Sequence, residues 1–242
     1  MRKRIIYVWS VVVLAFGISS CDEETLEASE QVSEKAYSFT GFNGINVTSA
    51  FKVFITFTDA EEERIVVEAS DNLQDKIIVE QDGGILNFDL EKNTGIRGDI
   101  VLNVHITTPN LDLLNVSGVS EVMFENTLLT ESFEMNVSDS GNVQGPIDVE
   151  SMRLDLQGTS DVNLYGQVNT LQAKLNTSSD LKDYDLQVEN LEIELEGLSE
   201  TYVTVNGSLR VKASGTSRMN YKGDPDIVQK SVSGLAKVIK ND

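Results

Sequence analysis

One eight-residue phrase returns seven times in the second half of the chain, about every nineteen residues, and no other feature limits the fold as strongly. Each copy places a small, polar tetrad between two apolar positions. The copies are NVSGVSEV (115–122), NVSDSGNV (136–143), DLQGTSDV (155–162), KLNTSSDL (174–181), ELEGLSET (194–201), KASGTSRM (212–219) and SVSGLAKV (231–238). The period is too short for a helical hairpin. It is typical of a β-solenoid, in which each coil stacks on the coil before it.

The apolar residues of the phrase alternate with polar ones, as in a half-buried strand. The second and eighth positions are almost purely apolar, and the alternation continues upstream of each phrase. Glycines such as Gly158 and Gly197 permit the backbone of a tight corner between two strands. Each repeat is therefore predicted to be strand, corner and strand, with Leu175 and Leu195 on neighbouring coils of one inward column.

The outward positions test this stacking independently. The first position of the phrase reads Asn115, Asn136, Asp155, Lys174, Glu194, Lys212 and Ser231. From the third to the sixth copy the charge alternates in sign, as expected for in-register neighbours, because opposite charges side by side are favourable and like charges are not.

The seventh position stacks like charges instead. Asp161, Asp180 and Glu200 are predicted to lie on three successive coils. Two carboxylates about 5 Å apart in water repel each other by about 0.8 kcal/mol. We expect an exposed corner to relieve this repulsion by splaying, with no cofactor. The sharper alternative is a Ca²⁺ ion that bridges neighbouring carboxylates.

Tyrosines recur with the same period and suggest an aromatic surface along one side of the rod. Their positions are Tyr165, Tyr184, Tyr202 and Tyr221. Tyr165, Tyr184 and Tyr202 are the predicted ligand-binding residues, since aromatic rings stack on sugars and peptides. A structural aromatic ladder between coils is the alternative, and the phase of Tyr221 places it inward.

Residues 37–110 are less regular but also have the character of strands. Asp82-Gly83-Gly84 is predicted to be a hairpin turn, and Pro109 ends the last strand. The predicted fold is all-β: one parallel β-helix or β-solenoid domain over 37–242 with coils of about nineteen residues. Its N-terminal half forms the first coils and the cap, because an open solenoid end exposes an unpaired strand edge.

Three features together resemble the head GIN domain family of adhesin-like proteins, common in Bacteroidota lipoproteins. They are FTGFNGINVTSAFKVFIT (39–56) with Gly44-Ile45-Asn46, VHITTPNLDLLNVSG (104–118), and the recurring SGxS corners. The resemblance covers nearly all of the chain after the signal peptide. It implies a parallel β-helical fold and a cell-envelope location, and it carries no established active site.

The N-terminus has the order of a bacterial lipoprotein signal. Basic residues 2–4, an apolar segment and small residues precede Cys21, the single cysteine of the chain. We predict a signal peptide at 1–20, lipidation of Cys21 and a solvated acidic tether at 21–36. The acidic residues behind Cys21 resemble the surface-export signal of Bacteroidota lipoproteins, with ordinary linker acidity as the alternative.

The net charge of the chain limits the classes of partner that it can bind. It carries 19 Lys and Arg against 39 Asp and Glu, which makes nucleic acid an improbable partner. The same acidity repels anionic membrane surfaces, so that the lipid alone would hold the protein to the membrane. The remaining expected partners are an envelope or extracellular ligand, either glycan or protein, and a second copy in a homo-oligomer.

Catalytic chemistry has little support in the sequence. His105 is the only histidine and alternates with Val104 and Ile106, which predicts an outward strand position. We predict a non-enzymatic protein, lipid-anchored to the outer membrane, in an adhesion, binding or structural role. The alternatives are a β-helical polysaccharide-processing enzyme, which requires acidic and basic groups clustered on one face, and a small-ligand-binding envelope sensor.

Overall fold

The computed structural model describes residues 25–60, 62–92 and 95–242. The predicted signal peptide and Cys21 lie outside the described residues. Strands dominate, with one 3-10 helix at Asp71–Lys76. The strands are β1 (Thr25–Glu27), β2 (Val32–Tyr37), β3 (Gly44–Val47), β4 (Lys52–Phe57), β5 (Arg64–Ser70), β6 (Ile77–Asp82), β7 (Ile85–Leu90), β8 (Gly95–Arg97), β9 (Leu102–Thr108), β10 (Leu113–Val116), β11 (Glu121–Phe124), β12 (Leu128–Val137), β13 (Asn142–Leu156), β14 (Asp161–Leu175), β15 (Asp180–Lys182), β16 (Leu186–Leu195), β17 (Glu200–Ala213), β18 (Arg218–Lys222), β19 (Asp226–Val232) and β20 (Lys237–Lys240).

Two parallel ladders run along the rod and confirm the predicted β-solenoid. In the first ladder the strand order is β7, β3, β10, β12, β13, β14, β16, β17, β19. In the second it is β9, β4, β11, β13, β14, β15, β17, β18, β20. Long strands such as β13 and β14 contribute to both ladders, β13 through 142–144 in the second and 147–156 in the first.

The predicted inward columns form the core. Leu175 and Leu195 face each other in the ladder between β14 and β16, and both are buried. The same holds for Val162 and Leu181 on the second ladder. A single coil offers no such enclosure, so each coil stabilises its neighbours through shared apolar burial.

The corner between the two ladders is also a stacked column, and it requires a left-handed backbone. The residues with positive φ there are Ser49, Gly118, Asp139, Gly158, Thr177, Gly197, Gly215 and Gly234. Main-chain hydrogen bonds join each corner to the next, as from Ser178 N to the Gly158 oxygen (2.9 Å) and from Asp180 N to the Ser160 oxygen (2.9 Å). Glycine accordingly fills most of these positions.

The first outward column confirms the predicted register. Asp155 faces Lys174, Lys174 faces Glu194, and Glu194 faces Lys212. Lys212 Nζ lies 2.6 Å from Glu194 Oε1. The alternation of charge in the sequence is therefore an alternation between adjacent coils in space.

The N-terminal half caps the solenoid with antiparallel strands, as predicted. β6 and β7 form the hairpin at Gly83-Gly84, β5 pairs with β9, and β2 pairs with β5. β3 and β4 precede β7, β9, β10 and β11 in the chain. In space they insert between them, β3 between β7 and β10 and β4 between β9 and β11. Local periodicity carried no sign of this insertion.

The Gly44-Ile45-Asn46 tripeptide lies in β3, at this insertion. Ile45 is fully buried, and Asn46 Nδ2 donates to Asn87 Oδ1 at 3.0 Å. At Gly44 a Cβ atom would lie 3.1 Å from a side-chain carbon of Ile85. The tripeptide therefore serves packing between the first coils.

From Thr25 onward, the acidic segment behind Cys21 differs from the predicted tether. Within 21–36, β1 pairs with β8, and β2 pairs with β5 as an edge strand. Leu26 and Tyr37 pack partly buried against the core. These side chains supply apolar burial that the high content of acidic residues did not indicate. The acidic residues themselves suit the solvent side of an edge strand. The described part of the chain has no helix of the length and hydropathy needed to cross a membrane.

Candidate ligand-binding surface

The predicted acidic column exists in space. Across β14, β15 and β17, Asp161 faces Asp180 and Asp180 faces Glu200, all on the outer side of the second ladder. The side chains of Asp161 and Asp180 are about one-third exposed. The structure thus brings the three predicted carboxylates together as neighbours on successive coils.

Basic side chains lie against these carboxylates. Lys182 Nζ contacts Asp161 Oδ2 and lies 3.9 Å from Asp180 Oδ2. Arg218, on the next coil, places Nη1 3.3 Å from Glu200 Oε1. The sequence analysis did not include Lys182 in this site, because it lies two residues after Asp180 and so belongs to the next outward column. Positions i and i+2 of a strand share one face, and that rule could have identified it.

The charges perturb one another. Burial raises the pKa of Asp180, the neighbouring charges of Asp161 and Glu200 raise it further, and Lys182 opposes them. The pKa of Lys182 is raised, chiefly by its hydrogen bond to Asp161. Asp180 therefore carries its charge at a cost, which Lys182 partly offsets.

Within the described residues, no three His, Cys, Asp or Glu side chains are grouped so as to hold a metal ion. The cation that the structure places between Asp161 and Asp180 is the ammonium group of Lys182. A Ca²⁺ ion at Asp161, Asp180 and Glu200 stays a prediction, and it would have to displace this ammonium group.

The predicted tyrosines divide into a pair, a separate residue and a core residue. Tyr184 and Tyr202 pack edge to face, with ring centroids 5.5 Å apart at 88°. Tyr165 lies on the preceding coil opposite Pro146 and is 46% exposed. Tyr221 is buried opposite Val203, so its predicted inward orientation is correct.

Hydrogen bonds connect the tyrosine pair to the acidic column. Glu200 Oε1 accepts from the Tyr202 hydroxyl at 2.9 Å and from Asn220 Nδ2 at 3.0 Å. The hydrogen bond from the Tyr202 hydroxyl to Glu200, together with burial and the charge of Glu200, raises the pKa of Tyr202. Lys222 Nζ lies 5.0 Å from the centroid of the Tyr184 ring. The tyrosines and the carboxylates were predicted as two separate sites, but in the structure they form one surface.

We call this the tyrosine–carboxylate surface. Its members are Asp161, Asp180, Lys182, Tyr184, Glu200, Tyr202, Arg218, Asn220 and Lys222. The rings are partly exposed and are held by contacts within and between coils, while charged donors and acceptors surround them. Such a combination suits a ligand with both apolar faces and hydroxyl groups, because rings stack on the former and ionic groups bond the latter.

A second surface, on the first ladder, escaped the sequence interpretation. It is a shallow concavity of about 310 Å³. Its lining residues are Glu134, Asn136, Arg153, Leu154, Asp155, Gln172, Ala173, Lys174, Glu192 and Glu194. The first outward column combines here with the outward residues two positions before it into a face of mixed charge that includes ion-paired Glu194.

The repeated serines are structural. Ser120, Ser160, Ser179, Ser199 and Ser217 are buried at the corners. Ser199 Oγ, for example, donates to the Glu196 oxygen at 2.8 Å, and Ser217 Oγ to the Ser214 oxygen at 2.8 Å. Ser120, Ser179, Ser199 and Ser217 commit their hydroxyls to main-chain oxygens and are therefore poor candidates for nucleophiles. The buried Ser160 hydroxyl differs, since within the described residues it has no hydrogen-bond partner.

His105 occupies the outward position predicted for it. It lies in β9, near the capped end of the rod, and stacks on the Phe54 ring with centroids 4.9 Å apart. The corner serines of the later coils belong to a different part of the rod, so a serine–histidine pair has no geometric support there.

An all-β solenoid with open, polar side surfaces is an architecture suited to binding along the rod. The chain belongs to the head GIN domain family, described as "Putative auto-transporter adhesin, head GIN domain", whose model matches residues 41–225. The predicted resemblance is thereby confirmed, and with it an adhesin-like protein of the cell envelope or surface.

Solved structures share the fold at low sequence identity. A "putative adhesin" from Bacteroides fragilis has a TM-score of 0.80 and 21% identity over 89% of this chain and 97% of its own. A "putative adhesin" from Parabacteroides merdae has a TM-score of 0.71 and 15% identity, covering 90% and 99%. A "putative lipid binding protein" from Parabacteroides distasonis has a TM-score of 0.71 and 18% identity, covering 90% and 100%. No curated protein sequence matches this chain.

Proposed function

We propose that the protein is a non-catalytic adhesion module of the outer membrane that is anchored by a lipid at Cys21 and binds a carbohydrate through the tyrosine–carboxylate surface. The observation that carries the ligand proposal is the edge-to-face pair of Tyr184 and Tyr202, with Tyr202 hydrogen-bonded to Glu200. Sugars present apolar ring faces beside hydroxyl groups, and this surface offers partners for both.

The anchor proposal is supported by the sequence before Cys21 and refined by the fold behind it. Because β1 begins at Thr25, at most about 14 Å of chain separates Cys21 from the folded body. A lipid at Cys21 would therefore hold the capped end of the rod near the membrane. The opposite end, with β19 and β20, would point away from the membrane, about 38 Å along the ladders.

A substitution at Cys21 tests the anchor. Cys21→Ser should lose the lipid mass on the mature N-terminus and move the protein from the membrane fraction to the soluble fraction, or leave it uncleaved. Unchanged membrane partitioning without a lipid would reject the anchor and leave the carbohydrate proposal intact.

A glycan array, probed with the chain from residue 22, tests the ligand. That chain retains every described strand. Tyr184→Ala with Tyr202→Ala should abolish binding to the glycans that the wild type retains. The matched control is Arg153→Ala with Lys174→Ala in the concavity on the first ladder, which should leave binding unchanged. Loss of binding in the control alone would transfer the ligand site to that concavity.

The enzyme alternative has a direct test on the same material. Wild-type protein incubated with the glycans that it binds should release no reducing ends and no unsaturated sugars. Any such product, dependent on Glu192 or Glu194 in the concavity, would reject the non-catalytic assignment.

A further inference from the structure

An apolar track crosses the outward face of the second ladder, with one apolar or aromatic side chain on each of six successive coils. Met123 faces Phe54 in the ladder between β11 and β4, and Pro146 faces Tyr165 in the ladder between β13 and β14. In ladder order the side chains of the track are Phe54, Met123, Pro146, Tyr165, Tyr184 and Tyr202. Because neighbouring strands lie about 4.8 Å apart, the track is about 24 Å long.

The side chains of the track are accessible from solvent. Tyr165 is 46% exposed, and the other five are half-buried. The residues that alternate with them along the strands, such as Val53 and Val122, are buried in the core, so the pleat of the sheet directs the track outward. At the capped end the exposed His105 ring lies parallel to the Phe54 ring, with centroids 4.9 Å apart. A row of apolar side chains outside the core is typical of an interaction surface.

Two sets of paired charges flank the middle of the track. Lys52 Nζ lies 3.3 Å from Glu121 Oε2, and Lys182 contacts the acidic column. Between these ion pairs, Gln144 and Asn163 face each other and place amide groups beside the track. Amides donate and accept hydrogen bonds without net charge. An uncharged occupant with hydroxyl groups therefore leaves the ion pairs intact, whereas a charged occupant would compete with them.

The spacing of the track matches one kind of polymer. In an extended β-1,4-linked polysaccharide each pyranose unit advances by about 4.8 Å, the strand spacing, so successive units meet successive coils. A polyproline II peptide rises about 3.1 Å per residue, and an extended peptide repeats on one side about every 6.8 Å, so both fall out of step with the coils. Pyranose rings also have apolar faces edged with hydroxyl groups, which suit apolar side chains flanked by amides.

From these observations we infer that the tyrosine–carboxylate surface is one end of a longer site, and that its ligand is an uncharged, extended β-1,4-linked polysaccharide lying along the apolar track. About one sugar unit meets each coil, so about six units occupy the track. Tyr184 and Tyr202 hold one end of the polysaccharide. Tyr165 contacts its middle, and Phe54 and Met123 contact the end near the cap. This longer site depends on the proposed carbohydrate function, which it extends by the class of polymer and by the binding residues near the cap.

The length of the sugar chain tests the inference, in calorimetric titrations of the protein chain from residue 22 with cello- and chito-oligosaccharides of two and six units. In at least one series the hexamer should bind at least about tenfold more tightly than the dimer, because the added units bury apolar surface on further coils. Phe54→Ala or Tyr165→Ala should weaken hexamer binding by about fivefold or more and leave dimer binding unchanged. Tyr184→Ala with Tyr202→Ala should weaken both. The control Leu129→Ala, which removes an exposed apolar side chain outside the track, should change neither.

Three results would overturn the inference. Equal affinity for dimer and hexamer, both lost in Tyr184→Ala with Tyr202→Ala, would confine the site to the tyrosine–carboxylate surface and leave the proposed function intact. Tighter binding of an oligogalacturonate hexamer than of both uncharged hexamers would mean that the ligand is acidic. Absence of hexamer binding at millimolar concentration would reject this class of polymer. A proline decamer that binds instead, and loses binding in Tyr165→Ala, would make the occupant a peptide and contradict the proposed carbohydrate function as well.

Discussion

Asp180 faces Asp161 directly in the ladder between β14 and β15, and Lys182 contacts the carboxylates of both. The parallel register makes this unavoidable, because in-register coils place equivalent residues side by side. A repeat that keeps an acidic residue at one position therefore requires a cation from a neighbouring column. Lys182 supplies it from the second residue along the same strand.

Replacement of Asp180 should stabilise the protein in a pH-dependent way. The pKa of Asp180 is raised in the folded state, mainly by burial, so between the unfolded value of about 3.8 and the folded value the native state binds more protons. The free energy of unfolding contributed by Asp180 therefore falls as pH rises through this window. Asp180→Asn should raise the free energy of unfolding at pH 7, with a gain that disappears below about pH 3.8.

Denaturant titration at several pH values measures this effect. The control is Asp148→Asn, an exposed carboxylate opposite Gln167, which should show no comparable gain. A destabilised Asp180→Asn at pH 7 would mean that the contact with Lys182 outweighs the burial of the carboxylate.

The response to calcium should depend on Lys182. Because its ammonium group already lies between two carboxylates, we expect millimolar Ca²⁺ to leave the wild-type melting temperature unchanged. Lys182→Gln removes that cation and should gain thermal stability from Ca²⁺. A rise in the wild type that is lost in Asp161→Asn with Asp180→Asn would instead support the predicted metal site.

Inward and outward residues of one strand should differ sharply in their contribution to stability. Leu175→Ala or Leu195→Ala removes buried side-chain volume from adjacent coils and should lower the free energy of unfolding by about 2–5 kcal/mol. Lys174→Ala, one residue away and exposed, should cost about 0.5 kcal/mol or less. Equal losses at the two kinds of position in urea titrations would contradict the orientation of β14.

Stacking of the corners should be visible in a pair of glycine substitutions. Gly158 has φ +78°, and a Cβ there would lie 2.5 Å from the Asp139 oxygen of the previous coil. Gly41 has φ +70° with no atom within 4 Å of its Cβ position. Gly41→Ala should cost about 1 kcal/mol for backbone strain alone, and Gly158→Ala about 2–3 kcal/mol. Similar losses in thermal unfolding would mean that contacts between corners contribute little.

The sequence was sufficient for the architecture wherever the information was local and repeated. The period of about nineteen residues specified the coil, and alternation along each strand specified which side chains face inward. Parallel stacking then followed, since it is the arrangement that buries both apolar columns at once. Leu175 and Leu195 could be paired in this way without coordinates.

Only the tertiary structure decided the relations that join positions far apart in the chain or in different columns. β3 and β4 insert between coils formed by residues some forty to seventy positions later, and no periodic signal encodes that choice. The described part of the acidic segment, from Thr25 onward, forms edge strands because its few apolar side chains meet the core there. Tyr202 and Glu200 were assigned to different sites until the hydrogen bond between them joined the two. A repeating sequence determines which residues face outward, but which residues become neighbours depends on the order in which the strands stack and on contacts between columns.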